Sequence, residues 1–234
     1  MVKKLPSFYY CMMCGRFTLH HTWPEISEVM DIVPSMAKGR NDPARYNIAP
    51  TQSVPFVHAE NEGVNVSDGQ WWLIPVWAKE QPKYPTFNAR SETAHEKNSF
   101  KASFKSKRCL IPADGYYEWT KGEDGGKDPH FIHLPEHKPF LFAGLWAYNS
   151  HMDLKSCTIL TAPADNAIKH IHDRMPIILQ EEKHDVWLSK ETEVDEAREI
   201  LKSHRNGELE SYRVSRNVNS SKSTGSDLNS AISI

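Results

Sequence analysis

Between residues 108 and 180 the chain passes through five short apolar segments, "RCLIPADGYYEW", "HFIHLP", "PFLFAGLWAY", "CTILTAP" and "MPIILQ", set apart by Pro, Gly and Asp. Runs of this length, rich in aliphatic and aromatic residues and bounded by turn formers, read as β-strands. "RFTLH", "VPFVHA" and "WWLIPVWA" add strands upstream, the last interrupted at Pro75. Helical signals lie at intervals and do not alternate regularly with the strands. The pattern therefore favours one α+β domain built on a largely antiparallel sheet.

The helices are legible from their ends and faces. Thr22 as N-cap, Pro24 in the first turn and Glu25 three residues after Thr22 make a capping box. Ile26, Val29 and Met30 would form that helix's buried stripe. "KNSFKASFKSKR" places Phe100 and Phe104 on one helical face and Lys97, Lys101 and Lys105 on the next. Residues 181–188 and 194–203 have helical character, with Gly207 as a stop. The last twenty residues, rich in Ser and Asn, read as irregular. With no internal repeat and no long linker, 234 residues make a single domain able to bury a core.

A formal charge of −2 excludes a generally cationic nucleic-acid binder but leaves room for a local basic groove. No apolar run approaches the ~20 residues of a membrane span, and the leader "MVKKLPSFYY" lacks the apolar stretch of a secretory signal. The chain reads as cytoplasmic. Cys11 and Cys14 form a C-x-x-C, but Cys109 and Cys157 supply no second pair and no helix signal follows Cys14. Unpaired thiols are the reading for Cys11, Cys109 and Cys157.

Four segments combine polar groups with turn residues. "RYNIAPTQ" puts Asn47, Pro50 and Thr51 in a turn between strands, and "TFNARSE" holds Asn88 and Arg90. "ADGYYEW" sets Glu118 among rings that would desolvate it and raise its pKa, which suits proton transfer. It could equally form a structural ion pair with Arg90 or Arg108. "IHDRMP" gathers His172, Asp173 and Arg174. With His170, His172 and Asp173 make a weak metal signal, because no distant partner stands at a recognisable spacing. A papain-like thiol hydrolase is conceivable, without that family's local sequence. Residue types alone stop at an α+β enzyme of unspecified reaction.

In order along the chain, "MCGRF", "RYNIAPTQ", "LIPVWAK", "NARSET", "RCLIPADGYYEW", "FAGLW" and "IHDRMP" resemble the motif series of the SRAP (SOS response-associated peptidase) family of abasic-site processing proteins. No one of these segments is specific; seven in this order are. The resemblance runs from Met13 to about Asn219, leaving 1–13 as a leader, 14–219 as the domain and 220–234 as a tail. It implies a compact α+β domain with a curved, barrel-like, mostly antiparallel sheet, acting without metal or cofactor as a monomer on abasic sites in single-stranded DNA. It also implies that Cys14 is the crosslinking nucleophile, with Asn88, Glu118 and His172 beside it. Arg16, Arg90 and Arg174 would lie near the DNA backbone, and Pro50, Trp77 and Thr161 along the DNA path. Lys97, Lys101, Lys105, Lys107 and Arg108 either extend that groove or form an ordinary solvated helix face.

The implied chemistry suits a chain terminus. An abasic site opens to an aldehyde, which a neutral amine attacks. An α-amino group titrates at roughly 7.7–8.0 against roughly 10.4 for lysine, so its neutral fraction at pH 7 is on the order of a few hundredfold larger. A cysteine at that terminus can then close a thiazolidine with its thiol. In this sequence Cys14 is internal. Translation from Met13 (or from Met12 with trimming), or cleavage of the leader by the protein itself, would expose it. A retained leader would leave no crosslinking activity; the alternatives are a cysteine-dependent peptidase acting on its own leader or on other proteins, and a single-stranded-DNA binding module with a blocked N-terminus. Ala78 follows Trp77 where relatives often carry a second ring, and "VSRNVNSS" follows the family's ending only loosely, so no site residue is assigned there.

Overall fold

The computed structural model describes residues 14–29, 37, 39–60 and 63–232, with backbone alone at residues 28, 29 and 206. Twelve strands and four α-helices are defined among them. In chain order they are β1 (Phe17–Leu19), α1 (Trp23–Val29), β2 (Arg45–Ile48), β3 (Ser53–Glu60), β4 (Gly63–Trp71) and β5 (Asn88–Arg90). Then come α2 (Lys101–Ser106), β6 (Arg108–Ala113), β7 (Gly115–Lys121), β8 (Lys127–His133), β9 (Phe140–Asn149) and β10 (Leu154–Pro163). The series ends with β11 (Arg174–Pro176), α3 (His184–Leu188), α4 (Val194–Ile200) and β12 (Glu210–Arg213). The α+β domain with mostly antiparallel sheet is as the sequence implies.

Two sheets share the work. One runs β12-β8-β7-β1-β2, antiparallel throughout. In the other, β10 pairs with β4, β4 with β3, β3 with β6, β6 with β9, and β9 returns to β10. Those five strands close a ring, so none of them keeps a bare edge along its paired length. β5 joins β10 in parallel on one side and β11 joins it antiparallel on the other. "RCLIPADGYYEW" is the hinge between the sheets: β6 belongs to the ring, β7 to the other sheet, and Asp114 sits between them.

The core is aromatic. Phe17, Trp71, Phe142, Trp146 and Trp187 are essentially solvent-free, and Phe17 meets Trp71 edge-on at 4.9 Å. A glycine is required at position 115, where a β-carbon would overlap the Phe131 ring and crowd the Ile132 carbonyl. That close approach lets β1, β7 and β8 stack in register.

Several expectations need correction. "WWLIPVWA" is no strand beyond Trp71; Leu73 and Ile74 are buried in an irregular connection. The strand in that region is β4, whose polar sequence pairs with β3 over eight positions. Asn47 lies in β2 rather than in the turn that follows. Gly207 does not stop α4, which ends at Ile200. The capping box forms, with the Thr22 N–H donating to Glu25 Oε2 at 2.7 Å. Ile26 is fully buried, whereas the Val29 side chain and Met30 lie outside the described residues. Phe104 is buried and Phe100 packs on the core. Among the described residues no helix is long and apolar enough to cross a membrane.

Candidate active site

Cys14, Gly15 and Arg16 lead directly into β1, and β1 lies antiparallel to β7 with Phe17 opposite Tyr116 and Thr18 opposite Gly115. The Tyr117 N–H donates to the Arg16 carbonyl at 2.9 Å, continuing the ladder. This register delivers Cys14 to Glu118 across 104 residues of sequence: the Cys14 backbone N–H donates to Glu118 Oε1 at 2.5 Å. From the other sheet, Asn88 at the start of β5 donates its side-chain N–H to the Cys14 carbonyl at 3.2 Å. Both backbone groups of one residue are thus gripped by side chains from different sheets.

Glu118 is 1% exposed. Desolvation pushes its carboxyl up to about 8, against the opposing pull of the Cys14 N–H and the Lys127 charge. Burial and the neighbouring Glu118 charge push the Cys14 thiol well above its ordinary value. Cys14 also holds a positive φ of 22°, a backbone state costly to any residue with a β-carbon. Gly15 is buried, yet a β-carbon there would meet no atom of the described residues within 4 Å.

The ion-pair alternative for Glu118 fails on Arg108. That guanidinium is buried and donates to the carbonyls of Phe104, Lys105, Trp187, Ser189 and Thr192. It locks α2 to α3 and cannot extend a DNA groove. Lys107 is drawn over the Trp146 ring at 4.2 Å. Lys101 and Lys105 are exposed on α2, just after Lys97, and Arg90 is exposed at the end of β5.

A second group forms around the end of β10. Arg174 donates to the Thr161 carbonyl at 2.7 Å and to its hydroxyl at 3.2 Å, and its guanidinium forks onto the Glu92 carboxylate. His172 Nδ1 accepts the Arg174 backbone N–H at 3.0 Å, which fixes the ring's orientation. Thr161 is fully buried.

Arg16 is likewise engaged. It donates to Asn47 Oδ1 at 2.8 Å, to the Val218 carbonyl at 2.7 Å and to the Asn219 carbonyl at 3.3 Å. Asn47 in turn donates to the carbonyls of Ser220 and Ser223, and Trp119 Nε1 donates to Asn219 Oδ1. Sequence reasoning assigned nothing to residues 218–223, yet they bind the segment that carries Cys14.

Trp77 is 58% exposed and Val76 51%. They form an apolar tip where a second ring was missed at position 78. The tip is a tight turn closed by the Ala78 N–H on the Pro75 carbonyl at 2.9 Å. The buried Asn149 amide braces it by donating to the carbonyls of Pro75 and Ala78, each at 2.8 Å. Nothing in the sequence pattern marks Asn149, since an Asn ending a strand normally signals only a turn. Pro50 stands half-buried beside Thr51, which takes a φ of 75°.

Among the described residues, the one set of three His, Cys, Asp or Glu ligand atoms within 4.8 Å of one another is His20, His21 and Asp114, not the cluster at residues 170–173. Cys14, Cys109 and Cys157 are buried free thiols, and Cys11 lies outside the described residues.

Comparison with known proteins agrees along nearly the whole chain. The profile of the SOS response associated peptidase (SRAP) family matches residues 13–221. The chain is 38% identical over 221 residues to the abasic site processing protein YoaM of Bacillus subtilis, covering 92% of this chain and 97% of that one. It is 31% identical over 222 residues to the abasic site processing protein YedK of Escherichia coli, covering 92% and 98%. Among solved structures, a protein from Bacteroides thetaiotaomicron superposes with a TM-score of 0.76 at 21% identity, covering 94% of this chain and all of that one. A phage-related protein from Bordetella bronchiseptica gives 0.70 at 27% identity, covering 86% and 94%. The chain belongs to the SOS response associated peptidase (SRAP) family.

Proposed function

We propose that this protein processes abasic sites in single-stranded DNA by forming a covalent thiazolidine through Cys14 once that residue is the chain terminus. One observation carries the reading: the Cys14 nitrogen lies 2.5 Å from a buried carboxyl whose pKa is raised to about 8. Relatives named as abasic site processing proteins supply the substrate class.

The chemistry follows from that pair. A free α-amine and a carboxyl this close titrate as a unit, and a dry site favours the uncharged amine with the protonated acid over an ion pair. The amine is thereby kept nucleophilic. It attacks the aldehyde carbon, and Glu118 donates a proton to the departing water as the imine forms. The Cys14 sulfur then adds to the imine carbon while its proton passes to the nitrogen, which closes the five-membered ring. Asn88, on the Cys14 carbonyl, keeps the terminus aimed, and His172 serves proton transfer at the sugar oxygen. The strained φ at Cys14 disappears with processing, because φ exists only while a carbonyl precedes the nitrogen. Trp77 offers a face on which an exposed base can stack.

A thiol peptidase is the weaker reading. Such a nucleophile needs a depressed thiol pKa, and here burial moves it the other way. The test is the intact mass of protein starting at Cys14, before and after incubation with single-stranded DNA carrying one abasic site. The expected result is one denaturation-resistant adduct per chain, lost in Cys14→Ser. No adduct from a chain that does begin at Cys14 would overturn the reading.

A further inference from the structure

Asp114 is fully buried at the corner where β6 passes into β7. Two consecutive histidines leave the end of β1 and turn their rings onto it. His20 Nδ1 lies 2.7 Å from one carboxylate oxygen and His21 Nδ1 2.8 Å from the other. The His20 ring is fixed by stacking on Tyr46, 5.1 Å away and nearly parallel. His20 Nδ1 is shielded from solvent but lacks good hydrogen-bond geometry to any acceptor. The carboxylate also accepts the His20 backbone N–H, which orients it toward the rings.

We propose that His20, His21 and Asp114 form a binding site for a divalent transition metal, with zinc as the best-matched ion and water completing the coordination. Two imidazole nitrogens and a carboxylate are a recurrent donor set for zinc. With metal–ligand bonds of 2.0–2.2 Å, tetrahedral donor atoms stand roughly 3.3 Å apart. The three donors already lie within 4.8 Å of one another, with the nitrogen–oxygen pairs slightly closer than that ideal. Each histidine side chain is about one-fifth exposed, whereas Asp114 is fully buried beneath them.

The site is structural. It ties the end of β1 to the start of β7, the two strands whose register sets Cys14 against Glu118. The ion carries no part of the amine chemistry proposed above, and the inference does not rest on it.

The experiment is equilibrium dialysis of the full chain against Zn²⁺, followed by metal counting and thermal melts with and without Zn²⁺. One tightly held zinc per chain and a zinc-dependent rise in Tm are expected. His21→Gln, a partly exposed position, should weaken zinc binding at least tenfold while leaving the metal-free Tm near the parent's. His20→Gln should do the same. Cys14→Ser should bind zinc like the parent, and so should His137→Gln, which removes one member of the neighbouring His133–His137 stack. Retention of zinc by both His20→Gln and His21→Gln would overturn the proposal. So would loss that follows Cys14 or His137 instead.

Discussion

Glu118 concentrates the chemistry of the site into one titration. Its folded-state pKa of about 8 stands above the ordinary carboxyl value of 4.5. Between those two pH values the folded chain keeps a proton that the unfolded chain has released. The unfolded state is therefore favoured progressively as pH rises from about 4.5 to about 8, and Glu118's contribution is complete only below that window. Urea unfolding of the full chain at pH 5 and at pH 8.5 should show a loss of stability with pH that is smaller in Glu118→Gln. Equal slopes for both proteins would mean the carboxyl is not desolvated. The sequence revealed this residue because Tyr116, Tyr117 and Trp119 surround it in the chain, and Tyr116 and Tyr117 are buried with it. It could not reveal the partner. The Cys14 N–H is a backbone group 104 residues away, and only strand register brings it there.

At the scale of elements, the sequence was most legible where apolar residues coincide with regular structure, as in β6, β9 and β10. It failed where burial and hydrogen bonding part company. β4 is a strand with half-buried Asn65, Ser67 and Gln70 and exposed Asp68, held by the ladder to β3. "WWLIPVWA" is apolar because Leu73 and Ile74 fill the core, yet its backbone turns irregularly and is satisfied by side chains such as Asn149. That amide gives a test of the exposed tip. Asn149→Ala removes the side-chain donor from the buried Ala78 carbonyl and leaves the Pro75 carbonyl with the Ala78 N–H alone, at a cost of about 1–3 kcal/mol in stability. It should also weaken single-stranded-DNA binding as much as Trp77→Ala does, and the double variant should be no weaker than Trp77→Ala alone. Full additivity would show that the brace does not position the ring.

Across the whole molecule, a net charge of −2 means that DNA must find its positive potential locally. Two of the arginines expected at the backbone are already occupied: Arg16 by the 218–219 carbonyls and Arg174 by Glu92. A phosphate reaching Arg174 must displace a carboxylate that holds it by a two-point fork. Glu92→Gln should therefore tighten single-stranded-DNA binding severalfold at low salt. It should also steepen the salt dependence of log K by about 0.7, the signature of one more phosphate contact. Unchanged affinity and slope would show that Arg174 does not meet DNA.

The bonds from Arg16 to residues 218 and 219 also order events in time. Arg16 and Asn219 are 203 residues apart. A ribosome adding roughly 5–20 residues per second needs at least about ten seconds to make that span. Arg16, with Cys14 beside it, leaves the tunnel long before the 218–219 segment that holds it. Glu118 emerges about halfway through that interval, so Cys14 can meet its carboxyl before Arg16 meets its clamp. The segment that carries Cys14 is thus fully seated only once residues 218–223 have been made, and a chain stopped short of them lacks the clamp on Arg16.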